Sequence, residues 1–114
     1  MEKDRIMSYI LDSIPYPILF VDCEHIIRYM NNAAKFHYYS ERGYRDLIGK
    51  SLFECHNDSS KEKILAAFDK IKRHGNEIFI GVSIKNLRIY MNPVRDENGE
   101  LVGYFERFEL NLQK

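Results

Sequence analysis

Apolar residues recur at helical spacing from the start of the chain: Ile6, Met7, Ile10, Leu11 and Ile14 follow the i, i+4, i+8 and i+1, i+4, i+7 pattern. This predicts an amphipathic helix over residues 4–13, ended by Pro15 and Pro17. Ile18-Leu19-Phe20-Val21 reads as a buried strand and Ile26-Ile27-Arg28-Tyr29-Met30 as a second one. The polar turn Asp22-Cys23-Glu24-His25 joins them into a hairpin. Asn31-Asn32 is placed to cap a short helix through Ala33, Ala34 and Phe36, because an asparagine oxygen accepts the free amides of a first turn. Residues 37–57 lack clean periodicity and contain Gly43 and Gly49. Short helical turns are expected there, with Tyr44, Leu47, Ile48, Leu52 and Phe53 pointing inward.

The clearest element follows. Ser59-Ser60-Lys61-Glu62 has the spacing of a capping box, Ile64, Leu65, Phe68 and Ile71 give one apolar face, and His74-Gly75 closes the helix. Beyond it the period changes to two. Ile78, Ile80, Val82 and Ile84 alternate with Phe79, Gly81 and Ser83, and Leu87, Ile89 and Met91 with Arg88, Tyr90 and Asn92. Asp96-Glu97-Asn98-Gly99 is a strong hairpin turn leading into a last strand, Leu101 to Leu110. The order helix, β, β, short helices, long helix, β, β, β predicts an α+β fold: an antiparallel sheet with helices on one face.

Composition narrows the function classes. A chain of 114 residues is the size of one domain, and 45% apolar with 13% aromatic residues is ordinary for a packed core. Lysine plus arginine equals aspartate plus glutamate at 17 each, so no basic excess exists to collect phosphates, and nucleic-acid binding is disfavoured. The longest apolar run, around Ile18 to Val21, is far too short to span a bilayer, and the charged start Glu2-Lys3-Asp4-Arg5 does not resemble a signal peptide. Two cysteines, Cys23 and Cys55, read as free thiols in a reducing compartment, giving a cytoplasmic expectation.

Three segments together resemble one family. Asn31-Asn32-Ala33-Ala34 is similar to the "Asn-x-Ala-Ala" segment of PAS domains, and Leu47-Ile48-Gly49-Lys50-Ser51-Leu52 to the "hydrophobic-Gly-Lys/Arg-Ser-Leu" step before their long helix. Residues 92–103, from Asn92-Pro93 to Val102-Gly103, resemble the final PAS hairpin. The resemblance covers roughly residues 6–109 and implies a PAS-like fold of five antiparallel strands around a pocket. It further implies a dimerisation helix at 1–14, a sensory domain at 15–110 and a tail at 111–114. Implied partners are a small-molecule ligand, a second copy held through Ile6, Ile10 and Ile14, and a downstream signalling protein. Neither a membrane nor nucleic acid is expected as a partner. A ligand-free interaction and dimerisation module is the alternative. One departure is visible: Phe108-Glu109-Leu110-Asn111 stands where the family often carries Asp-Ile-Thr.

Candidate chemistry centres on His56. Cys55-His56-Asn57-Asp58-Ser59-Ser60 is similar to a His-Pro-x-x-Ser-like stretch of haem-binding PAS domains, with Asn57 in place of the proline. That likeness implies haem b with His56 on the iron, Met91 opposite, and a wall of Ile64, Leu65, Phe68 and Tyr44. The plainer reading makes His56 a loop histidine bonded to backbone and Met91 a core residue. The Asn-Cys-Arg-Phe motif of flavin-binding relatives is absent. Cys55 lies close to a helix start, which favours a reactive thiolate, but a buried, inert cysteine is the preferred reading. Cys23-Glu24-His25 is too few ligands for a zinc site. No glycine loop for phosphate and no nucleophile elbow occurs, so no enzymatic activity is expected.

Overall fold

The structure, a computed structural model, describes residues 1–112 apart from the His74 side chain. Helix α1 (Lys3–Ser13) leads into the hairpin β1 (Ile18–Asp22) and β2 (Ile27–Met30). Helix α2 (Asn32–Lys35) runs on into a π-helical turn, Phe36–Glu41, and a 3-10 turn, Leu52–Cys55, precedes the long helix α3 (Asp58–His74). Strands β3 (Ile78–Val82), β4 (Leu87–Arg95) and β5 (Leu101–Leu110) complete the chain. All five strands form one antiparallel sheet in the order β2-β1-β5-β4-β3, so the last strand lies at its centre. This is the expected α+β, PAS-like architecture.

Alternation sorts the central strands. Leu19 and Val21 of β1 stand opposite Glu106 and Tyr104 of β5, and Met91 of β4 also stands opposite Glu106. These inward residues pack with Ile64, Ala67, Phe68 and Ile71 of α3 and with Ala34, Tyr38, Leu52 and Cys55 of the shorter helical segments. On the other face Arg107 makes a two-pronged pair with Glu77, 2.9 Å on each arm, and lies 4.3 Å from the Tyr90 ring.

Asn31 carries the junction between α1 and the sheet. Its Oδ1 accepts from the Ile18 and Ala34 amides at 2.9 Å each, and its Nδ2 donates to the Leu11 and Tyr16 carbonyls at 3.0 and 3.1 Å. The expected asparagine cap is thus present and ties three further backbone segments besides. Pro93 sits inside β4, which a proline tolerates only where its missing N–H has no ladder partner. The β3 pairing ends at Met91, so Asn92 to Arg95 have only β5 beside them.

Several expectations are corrected. Asn57, not Ser59, caps α3, accepting from the Ser60 amide at 2.8 Å. Helix α3 begins at Asp58, so the extended residue before its first turn is the asparagine, two positions earlier than the serine pattern suggests. Leu65 is 38% exposed and Ile48 also faces outward. Ala67 fills the place in the buried stripe given to Leu65. Phe36 continues the helix but faces solvent. β3 stops at Val82 because the Ser83 hydroxyl accepts from the Lys85 and Leu87 amides and closes a turn, which leaves Ile84 89% exposed. The second strand begins at Ile27, with Ile26 bridged instead to Ser51.

Candidate functional site

A cavity of about 250 Å³ opens between α3 and the β3–β5 part of the sheet. Burial separates its floor from its rim. Tyr38, Cys55, Ile64, Glu106 and Phe108 are buried and form the floor, whereas Arg42, Asn57, Lys63, Val82 and Ile84 are exposed at the mouth. Ile80, Gly81 and Ile89 form the sheet side. The β3–β4 register shifts between Phe79 and Gly81, and Gly81 adopts φ +146°, a backbone suited to glycine. The irregular part of β3 is therefore the part that borders the cavity.

His56, directly after the 3-10 turn, lies in this wall. Its Nδ1 lies 2.9 Å from the Leu52 carbonyl. A carbonyl only accepts, so Nδ1 carries the proton and Nε2 of the neutral ring is an acceptor. Burial holds the imidazole below its ordinary pKa, against the opposing pull of that carbonyl bond. The Cys55 thiol donates to the same carbonyl at 3.1 Å, and burial followed by the Glu106 charge pushes it up to about 12. A thiol held this high stays protonated, against the thiolate that a helix start would favour.

The other expected residues divide. Ile64 lines the cavity with His56. Met91 is fully buried but lies in the core beside the floor, and Phe68 packs against the His25 and Tyr104 rings. Leu65 points to solvent, and Tyr44 borders a separate shallow hollow with Tyr39 and Asp46. His37, edge-on to the Tyr38 ring, is buried in the wall 3.5 Å from Glu41. Burial, then the Arg42 and Lys85 charges, lower its pKa. Cys23-Glu24-His25 is a hairpin turn organised by Asp22, and among the described residues no cluster of three metal-binding side chains occurs. Of the proposed dimer contacts, Ile6 and Ile10 are exposed and Ile14 is half-buried.

The residue that pattern reading missed is Glu106. It is 2% exposed, lines the floor, and its Oε1 has no hydrogen-bond partner among the described residues. Burial alone pushes its carboxyl up to about 7. The available signal was the alternation Tyr104, Glu106, Phe108, a lone charge on the apolar side of β5.

These residues do not fit a haem gripped between His56 and Met91. The His56 Nδ1 bond to a carbonyl is the arrangement that orients a metal-binding imidazole. The volume, however, falls below the ~300–1,000 Å³ of pockets for drug-sized ligands, and a porphyrin is a large member of that class. Met91 is also outside the wall, and a carboxyl group with one unpartnered oxygen occupies the floor.

Comparison with known proteins agrees with the architecture. The chain is similar to the C-terminal domain of a Streptococcus mutans protein at TM-score 0.73 and 20% identity, covering 93% of this chain and 83% of that one. It is similar to the PAS domain of a Colwellia psychrerythraea protein at TM-score 0.69 and 18% identity, over 95% and 96% of the two chains. A third similar structure is the Aer2 receptor of Vibrio cholerae, a dual PAS-haem oxygen sensor, with TM-score 0.57 and 20% identity over 82% and 92%. No curated protein matches the sequence. No helix among the described residues is long and apolar enough to cross a membrane. The description of the PAS fold matches residues 11–109, and the chain belongs to the PAS family.

Proposed function

We propose that this domain is a non-enzymatic sensor that takes a compact ligand in the cavity between α3 and β3–β5 and changes the geometry of a homodimer. The observation that carries this reading is the cavity itself, a walled space with a buried, unpartnered polar group in its floor. A filled, purely adhesive domain has no use for such a space, since interiors normally close-pack. The exposed Ile6, Met7 and Ile10 on α1 support the output side, because a second copy would cover them. Free thiols at Cys23 and Cys55 support a reducing cytoplasmic setting. The signal then passes to a separate downstream protein.

Haem is carried by a similar structure, but the dimensions here favour a smaller guest. The test is native mass spectrometry with absorption spectroscopy on protein expressed with haem available. The expected result is a dimer with a small bound mass and no Soret band. A Soret band lost in His56→Ala would restore the haem reading. A dimer with no bound mass, broken by Ile10→Asp, would favour the ligand-free module.

A further inference from the structure

The floor of the cavity is chemically incomplete. Glu106 projects from the middle of β5 between Leu19 of β1 and Met91 of β4, both fully buried, so its neighbours in register offer no donor. From the facing elements come Tyr38 of the π-helical turn and Cys55 of the 3-10 turn, and burial keeps both neutral. Among the described residues no cation pairs with Glu106. Arg42 lies at the mouth against the Tyr38 and Tyr44 rings at 5.7 and 5.2 Å, and Lys63 is exposed. Native interiors rarely leave a buried polar atom unmatched, so each exception calls for an explanation, of which a bound partner is one.

His56 adds a second acceptor to the same wall. Its Nδ1 proton is taken by Leu52, leaving Nε2 with a lone pair. The inner wall therefore presents two acceptors beside the neutral Tyr38 phenol, whereas the charged donors stand at the rim. Resting on the reading of this cavity as a ligand site, we propose that it takes a compact ligand bearing a primary amino group, which donates to Glu106 Oε1. An ammonium supplies both the missing donors and the missing opposite charge. An alcohol supplies one donor and no charge, and a carboxylate is repelled. The carboxyl, pushed up to about 7 by burial, is drawn back to its ionised form by such a partner. A buried carboxylate with nothing to bind is otherwise a standing liability of this sheet.

The test titrates the full chain with n-butylamine, n-butanol and butyrate, three probes of near-equal size that differ in the head group. Methyl NMR of Ile64 and Ile89 reads cavity occupancy, and thermal melting reads stabilisation. Butylamine is expected to shift both methyls saturably and to bind about tenfold or more tightly than butanol, with butyrate weakest. In Glu106→Gln, which keeps the shape but removes the charge, the amine preference should fall about tenfold while the protein stays folded and melts higher. Equal binding of amine and alcohol, or an undiminished preference in Glu106→Gln, overturns the inference. If butanol or butyrate binds best, the ligand-site reading stands and the amine assignment fails. If no probe moves either methyl, both fail together.

Discussion

Glu106 stands directly opposite Met91 in the β4–β5 ladder, so a carboxylate and a core thioether share one cross-strand position. Alternation puts both on the inward face, but Met91 is sealed and its neighbour is the residue left unpartnered. It also fixes a pH dependence. The folded-state pKa is about 7 against an ordinary 4.5. Between those values the folded protein retains a proton that the unfolded chain releases, so stability falls as pH rises through that window. The loss is absent below the lower value and complete above the upper one, at roughly 3 kcal/mol. Glu106→Gln is expected to gain about that much over the natural protein at pH 8 and to converge with it near pH 4 in urea unfolding. His25, His37 and His56, lowered by burial, act in the opposite sense in both proteins and cancel in the difference. A gap independent of pH would assign the effect elsewhere.

Asn31 holds four backbone groups from four parts of the chain. Asn31→Ala should cost about 2–4 kcal/mol, more than one hydrogen bond, because several partly buried groups lose their partner together. Asn31→Asp keeps the acceptor for Ile18 and Ala34 but turns the donor toward the Leu11 and Tyr16 carbonyls into a second acceptor. It should rescue little. Urea midpoints of the two variants decide this.

Two glycines of the last hairpin separate close contact from backbone freedom. A Cβ on Gly103 would run into the Val21 carbonyl oxygen and come within 2.9 Å of the Phe20 ring. Gly103→Ala is therefore expected to cost about 3 kcal/mol or more, since β1 cannot retreat without losing its pairing with β5. At Gly99, φ is +81° but no atom lies within 4 Å, so Gly99→Ala should cost only about 1 kcal/mol. Similar melting temperatures for the two would contradict the close-contact argument.

Thiol reactivity should split cleanly. Cys23 is exposed, while Cys55 is buried with its thiol pushed up to about 12. At pH 8 the Cys55 thiolate fraction is on the order of one part in ten thousand. An aromatic disulfide reagent should modify Cys23 readily and Cys55 only at the rate of unfolding. Two equally fast thiols in the native protein would refute the burial of Cys55.

The element order was legible because each change of period left a mark: Pro15 and Pro17 after the first helix, the Asn31 cap, Gly75 after α3, and the Asp96–Gly99 turn. Finer assignments failed where two local solutions compete. Ser59 and Asn57 both offer a cap, and only the fold selects Asn57. Leu65 and Ala67 flank the same stripe, and the larger apolar residue drew the assignment although the smaller one is buried. The cavity was harder still. Alternation places Met91 and Glu106 on the inward face alike, but where that face is packed and where it is hollow depends on β3 stopping at Val82 and shifting register near Gly81. No periodicity encodes that.

The attachment of α1 has a calorimetric consequence. None of its residues is buried, and its C-terminal end is held by polar ties, the Leu11 carbonyl to Asn31 and the Asp12 carboxylate to the Asn32 amide at 3.0 Å. Swinging the helix away would expose little apolar surface, so the step carries a small heat-capacity change and barely alters the denaturant slope. The helix is thus latched by direction-dependent bonds whose strength changes little with temperature. Reorienting it leaves the oily interior undisturbed, and its release registers chiefly as faster hydrogen exchange at the Asn32 amide.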